Sequence, residues 1–441
     1  MSVLPKEINY TSVKSLPDGT SSNSIVTAPI NGSSFGASSI IQFDLVQRGY
    51  MVPESMYIRY KLECIGGVAI GANWIRATPV YTMFARSEVI CGSQVIESIQ
   101  NYNQLCNMLV NCKMNYAQKV GLSNSFGYTS SVTDQYLFNF SNESPNGSSL
   151  STLTNANVAA AGTLFLAAPL GNILSNSDHL VPLKFMPSCR IQLTTEALSN
   201  AFQLAAIAAN AVQSYTITNC ELCYDIIEFS PTVDQAITSM GNGSITLKSQ
   251  SYLSSGVTVA GTSSGTLEFL FNQRLASIKS VFAHLSGTVA NATNGFFDSI
   301  DITTNNGDYQ FFISGMPYPP RPLSTFLNKA AISMELSSAF GPAHDLLTSN
   351  FSINPTEFGA INNGLVATSQ NQMAKFYVGT NVEKLSTNGT LLTGISSQGS
   401  PISCRISLGT ATVGSQVLQL ICLYDALIQI DIASRTIVVM Q

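Results

Sequence analysis

Cys223-Tyr224-Asp225-Ile226-Ile227 and Leu423-Tyr424-Asp425-Ala426-Leu427-Ile428 are the two stretches whose comparison decides the fold. Each is a short apolar run around a Tyr-Asp pair, and each stands near the end of one half of a 441-residue chain. Working outward, the landmarks before them recur in the same order. Gln47-Arg48 precedes the strand-like run Met56–Leu62, and Gln273-Arg274 precedes Ile278–Leu285. Cys91-Gly92-Ser93 leads through Val95, Ile96 and Ile99 into a helical pattern opening near Tyr102. Asn306-Gly307 leads through Tyr309, Phe311 and Ile313 toward one near Tyr318. A repeat of this length is a repeat of whole domains. A duplicated β domain with almost no candidate chemistry points to a building block rather than a catalyst.

The composition agrees. Charged residues make up 10 % of the chain, against about 25 % in an ordinary soluble domain. Ser, Thr, Asn and Gly take their place, and a weakly charged surface suits packing against copies of itself. The net charge is −5, and the first 25 residues hold only Lys6 and Lys14 as basic side chains. That excludes packaging of nucleic acid by a basic arm, and no sequence-specific nucleic-acid binding is expected. Pro5, Lys6 and Glu7 occupy the place where a signal peptide needs an apolar run. The apolar stretches Val158–Leu170 and Ala201–Val212 fall short of the roughly 20 residues of a membrane span, so a soluble, unsecreted chain is expected. The nine cysteines are scattered, many inside apolar runs, and read as reduced core residues.

Periodicity divides the chain. Residues 1–35 read as an extended N-terminal arm, 36–230 as a first domain, 231–242 as a linker and 243–441 as a second domain. Tyr57, Arg59 and Lys61 alternate with Ile58, Tyr60 and Leu62, the pattern of a strand with one buried face. Asn306-Gly307, between Ile300, Ile302 and Thr304 on one side and Tyr309, Phe311 and Ile313 on the other, gives the strongest hairpin signal. Both residues tolerate the positive φ of a type I′ turn. Ile99, Tyr102, Cys106, Leu109, Cys112 and Tyr116 recur at helical spacing, predicting a helix with one apolar face. Pro322 to Phe340 is a second helical candidate, opened by the proline-rich run from Pro317. A long polar loop runs from Ser123 to Ala160, the kind of segment in which recognition is placed. The fold class is all-β: two sandwiches in tandem, each with one short appended helix.

The catalytic inventory is nearly empty, and no catalytic, cofactor-binding or metal-binding residue is assigned. Cys220-Glu221-Leu222-Cys223 is formally a C-x-x-C, but three residues along a strand reverse the face, so the sulfurs diverge. No second such pair or nearby histidine completes a zinc set. His179, His284 and His344 lack a nucleophile elbow or an H-E-x-x-H context and read as structural. Asp298, Asp301 and Asp308 superficially resemble a calcium loop, but the glycine stands at the wrong place. Glu88 and Glu97 flank the first hairpin and could converge as a carboxylate pair, though solvated strand ends explain them more simply. Trp74 is the single tryptophan, which argues against a multi-tryptophan sugar platform.

Taken in order, several stretches resemble the double jelly-roll major capsid proteins of tailless icosahedral DNA viruses, in particular those of virophages and Polinton-like viruses. They are Arg48-Gly49-Tyr50-Met51-Val52-Pro53 leading into Met56-Tyr57-Ile58-Arg59-Tyr60, and Val95-Ile96-Glu97-Ser98-Ile99-Gln100-Asn101-Tyr102-Asn103. Val181-Pro182-Leu183 and Tyr224-Asp225-Ile226-Ile227-Glu228-Phe229-Ser230-Pro231 follow. Ser277-Ile278-Lys279-Ser280-Val281-Phe282 and Tyr318-Pro319-Pro320-Arg321-Pro322 complete the set. All are structural and loosely patterned, so their order and the duplication bear the weight.

The resemblance implies two eight-stranded jelly rolls standing side by side, and homotrimers whose six jelly rolls make a pseudo-hexagonal block of a viral shell. It implies neighbouring capsomers, penton and other minor capsid proteins as partners, the virion as location, no cofactor, and an arm that ties neighbours on the inner face. The chain is short for the family, which implies small outward loops. Two other readings remain at this level. A tandem jelly-roll carbohydrate- or receptor-binding protein (spike or lectin) would show aromatic platforms or calcium acids in its loops. A tandem-sandwich hydrolase would need a convergent acid pair in a cleft between the domains.

Overall fold

The computed structural model describes residues 19–65, 74–75, 78–127, 162–203, 212–240, 243–287, 289–290, 293–294, 296–303, 307–341, 375–384, 392–409 and 415–441. Numbering only strands of four residues or more, the first half contributes β1 (Ser21–Thr27), β2 (Ile40–Asp44), β3 (Tyr57–Ile65), β4 (Phe84–Cys91), β5 (Gln94–Gln100), β6 (Gly162–Pro169), β7 (Cys189–Thr195) and β8 (Ser214–Glu228). The second half contributes β9 (Ser244–Val259), β10 (Thr266–Phe271), β11 (Ile278–Gly287), β12 (Asp308–Ile313), β13 (Met316–Ser324), β14 (Val378–Asn381), β15 (Ile402–Ser407) and β16 (Gln416–Asp431). A last strand, β17 (Thr436–Met440), folds back on β16. Helices of ten residues or more are α1 (Tyr102–Lys113), α2 (Pro231–Met240) and α3 (Lys329–Phe340).

The first half forms two antiparallel sheets, ordered β1-β8-β3-β6 and β2-β7-β4-β5. In the second half the orders are β9-β16-β11, with β14 beside β11, and β10-β15-β12-β13. Adding eight to each label of the first half gives the second. Within each set of eight strands non-consecutive strands sit side by side, and among the described residues β4-β5 and β12-β13 are the only hairpins there, which is the jelly-roll connectivity. The fold is therefore all-β, two tandem eight-stranded jelly rolls, each with a helix after its fifth strand. Every described strand pairing stays within one half, and one hydrophobic cluster runs through both.

The local reasons are legible strand by strand. In β3, Ile58, Tyr60 and Leu62 are buried while Tyr57 and Arg59 face out, as the alternation requires. The repeated Tyr-Asp pair lies on β8 and β16, the strands paired on both sides in their sheets. Tyr224 and Tyr424 are buried, the Tyr224 hydroxyl accepts the Val46 amide at 2.9 Å, and Ser277 donates to Asp425 at 3.0 Å. A central strand is the most constrained place in a sheet, so the duplication reads most clearly there.

Three expectations need correction, and the linker gains a definite form. Residues 21–27, expected in the arm, form β1 and pair with β8 from Ser21↔Glu228 to Thr27↔Leu222. Their Ser- and Asn-rich composition reflects an exposed edge strand rather than a lack of structure. The linker is mostly helical, with Pro231 opening α2, where its missing amide costs nothing. The second hairpin is not at Asn306-Gly307. Ser314 and Gly315, at φ 50° and 77°, supply the two positive φ angles and join β12 to β13. Ser299–Ile300 instead pairs with β11 in the other sheet, and Asn306 lies outside the described residues. Finally, Pro317, Pro319, Pro320 and Pro322 do not start a helix but lie in β13. Among the described residues that strand pairs with β12 alone, and an edge tolerates prolines that a central strand cannot. The helix α3 begins only at Lys329.

Gly307 is needed for a different reason than its turn propensity suggests. A Cβ there would stand 1.8 Å from the Ser407 carbonyl oxygen. Gly307→Ala is expected to cost about 3 kcal/mol through backbone displacement, read as a lower urea midpoint with an unchanged slope. A wild-type midpoint would show that β15 can retreat freely.

Candidate functional site

Glu88 and Glu97 do not form a catalytic pair. In the β4–β5 register Val89 stands opposite Glu97, and Glu88 opposite Ser98, so the two carboxylates point to opposite faces. Glu88 is ion-paired with Arg86 and accepts from Gln192 at 3.0 Å. Cys220 and Cys223 are both buried, Cys220 in the core at the register shift between Thr218 and Glu221, and Cys223 beside the Tyr57 hydroxyl in the regular β8–β3 ladder. His179 is exposed, and His344 lies outside the described residues. His284 is buried edge-on to Tyr377, and burial pushes its pKa down to about 4, so the ring is neutral. Asp301 spends one oxygen on the Thr303 amide and hydroxyl, both at 2.9 Å, while Asp308 is exposed. Among the described residues no three His, Cys, Asp or Glu side chains converge, and no helix is long and apolar enough to cross a membrane.

An open depression of about 450 Å³ lies against β3, β6 and β8, lined by Arg59, Phe165, Asn219 and Glu221. Its charges are spent on each other, with Arg59 Nε 2.5 Å from Glu221 Oε2. Most of the loop expected from Ser123 to Ala160 lies outside the described residues. Its first turn, Ser123–Phe126, is helical.

The arrangement that does stand out is the seam between the halves. Here β5 and α1 of the first half lie against β9 and its surroundings in the second. Ser251 donates to Glu97, and Ser249 donates to the Ile173 carbonyl. Asn176 donates to the Gln250 carbonyl at 3.1 Å, and the Asp178 amide to that of Lys248 at 3.0 Å. From α1, Gln104 reaches the Phe296 carbonyl at 2.7 Å and Asn111 the Tyr377 hydroxyl at 3.2 Å. Its last residue, Lys113, sets its ammonium 5.5 Å from the Phe340 ring of α3. The C-terminal Gln441 donates to the Ile96 carbonyl at 2.9 Å.

This explains a feature of α1 that periodicity misses. The spacing predicts one buried face, yet Asn103, Gln104, Asn107 and Asn111 are buried with Tyr102, Leu105 and Cys106. One face meets its own jelly roll and the other meets the second half. The signal is present in residue type: every polar position from Tyr102 to Cys112 is an uncharged amide. A buried interface needs hydrogen-bonding groups without the desolvation cost of charge. The buried seam carboxylate Glu97 has its pKa raised by burial to about 7, against the lowering effect of the Ser251 and Ile173 hydrogen bonds.

Two jelly rolls of identical strand order, welded edge to edge by buried polar contacts and carrying no convergent chemistry among the described residues, define a double jelly-roll protein. The comparisons with solved structures point to the same fold. The Faustovirus major capsid protein superposes with TM-score 0.61 at 11 % identity, over 94 % of this chain and 91 % of that one. PBCV-1 VP54, fitted into a reconstruction of the virophage Sputnik, gives 0.61 at 10 % identity over 98 % and 99 %. The mavirus major capsid protein gives 0.55 at 11 % identity over 100 % and 95 %. No protein-family model and no curated protein matches the chain. The similarity to double jelly-roll major capsid proteins is thus one of fold, over nearly the whole length.

Proposed function

We propose that this chain is a viral major capsid protein, whose homotrimers form pseudo-hexameric capsomers that tile an icosahedral shell around a DNA genome. The observation that carries the reading is the repetition of one strand order in two halves fused by a buried seam, over the full length of proteins with that role. Six such jelly rolls from three chains make a near-hexagonal block, a shape that fills a flat facet. The low charge of the chain and the lack of convergent catalytic groups among the described residues favour a structural part over an enzyme. With β1 included, residues 21–230 and 243–441 are then the two building units joined by 231–242. Penton and minor capsid proteins are the further partners, and the virion is the location.

The test is the mass of the purified protein by light scattering. A stable species at three times 47.1 kDa is expected. A concentration-independent monomer would contradict the proposal.

A further inference from the structure

Two of the nine cysteines face each other across a ladder. Cys91 ends β4 and Cys189 opens β7, and the register sets them directly opposite. One step beyond the pair, the Gly92 amide donates to the Ser188 carbonyl at 2.8 Å. The Cys189 carbonyl points the other way and accepts from the Leu45 amide, just past β2, at 2.8 Å. The two cysteines are therefore a non-hydrogen-bonded pair, where an antiparallel ladder brings Cα atoms to about 4.5 Å and side chains closest. That falls within the roughly 4.4–6.8 Å that a disulfide spans between Cα atoms. Opposite residues share a face, and here both side chains are buried with their sulfurs in contact at 2.7 Å.

No other described cysteine in a strand has such a neighbour. Cys64, Cys223, Cys404 and Cys422 stand opposite Tyr215, Tyr57, Phe311 and Val281. Cys220 falls at a register shift, and Cys106 and Cys112 on α1 lie off the three- or four-residue spacing that makes helical neighbours. β4 and β7 are the two inner strands of their sheet. The chain between the two cysteines, a separation of 98 residues, carries β5, α1 and β6. A covalent bond at this point would close that whole excursion at its base, including the elements that make the seam. Solvent is one residue away, because Gly92, Ser93 and Gln94 form an exposed hairpin tip and Ser188 is exposed across from it. Fraying of that end uncovers the pair without opening the sheet.

We propose that Cys91 and Cys189 are a dithiol oxidation site, closed by a hydroperoxide into a disulfide that staples the base of the first jelly roll. One thiolate attacks hydrogen peroxide and breaks its O–O bond, leaving a sulfenic acid, while the displaced hydroxide takes the thiol proton and departs as water. The second sulfur then attacks the first, the S–S bond forms, and the hydroxyl leaves with the second thiol proton as another water. The pair loses two electrons and two protons, and the peroxide is reduced to two waters. The hydrogen bond to Cys189 and burial hold the Cys91 thiol above its ordinary range, so thiolate is scarce and closure follows fraying of the hairpin end. The site is internal to one chain and stands independently of the capsomer reading.

The test uses full-length protein, reduced with dithiothreitol, freed of it, exposed to hydrogen peroxide and alkylated on denaturation. Peptide mapping by mass spectrometry is expected to show Cys91 and Cys189 in one linked species, two hydrogens lighter than the separate peptides and split by dithiothreitol. The chain is expected to stay at 47.1 kDa on a non-reducing gel, as an internal bond requires. Closing so long a loop restricts the unfolded chain, so the melting temperature is expected to rise by about 5 °C or more. Cys189→Ala, treated identically, is expected to show no linked species and no rise relative to its own reduced form. Recovery of Cys91 and Cys189 as separate alkylated or sulfonic-acid peptides, or linkage of either to another cysteine, would overturn the site. A Cys91–Cys189 bond with no rise in melting temperature would overturn the staple.

Discussion

Replacing Tyr102 by alanine is expected to remove about 3–5 kcal/mol of folding stability. Tyr102 opens α1 and is fully buried, with its ring edge-on to Tyr81 at a centroid distance of 6.3 Å. Its hydroxyl accepts the Gly171 amide at 3.2 Å. Truncation leaves a ring-sized void in a close-packed region and strands that amide without its partner. The cost is large because α1 is pinned on both sides, by its own jelly roll and by the second half, so the site cannot collapse by moving the helix. Tyr102→Phe keeps the ring and loses only the hydrogen bond, at about 1 kcal/mol. Urea denaturation of the two variants checks the ranking. An alanine variant within about 1 kcal/mol of wild type would mean that α1 is not held as described.

The second large effect depends on pH. Burial in the seam raises the Glu97 carboxyl from its ordinary value of 4.5 to about 7, with the Ser251 hydroxyl and the Ile173 backbone opposing the shift. Tyr424, whose own pKa burial raises, is the titratable neighbour on the second half. Because the folded protein holds the Glu97 proton more tightly than the unfolded chain, the stability this group contributes is complete below about pH 4.5 and is lost as the pH rises through about 7. At about 1.36 kcal/mol per pH unit the loss approaches 3 kcal/mol by pH 8. Glu97→Gln keeps the shape and can still accept from Ser251, but does not titrate. The variant is therefore expected to gain on the wild type by about 3 kcal/mol between pH 5 and pH 8. Paired urea titrations at the two pH values measure it. A difference that does not change with pH would show that Glu97 is not buried as a carboxylic acid.

Much of this architecture is legible in the residues, for identifiable reasons. The Tyr-Asp pairs stand on β8 and β16, which hydrogen-bond on both sides, so their environment tolerates little and the duplication survives there. The alternation in Tyr57–Leu62 and the helical spacing from Tyr102 likewise follow from burial. The failures lie where a tertiary partner overrides a local preference. Asn306-Gly307 has turn chemistry, yet Gly307 is required by the close approach of Ser407, and the turn itself falls at Ser314-Gly315. The proline run Pro317–Pro322 suits a helix start equally well as an edge strand, and only the sheet order distinguishes them. Residues 21–27 read as an arm because an edge strand with an uncovered face needs no apolar alternation. The seam escapes periodicity because both faces of α1 are buried, although its amide-only polar positions are the clue.

Single-particle imaging of the purified protein shows whether the two jelly rolls of each chain are repeated around a three-fold axis. A particle of near-hexagonal outline with six lobes is expected, alternate lobes being equivalent under three-fold averaging. A particle with only two lobes, or one whose symmetry is two-fold, would contradict it.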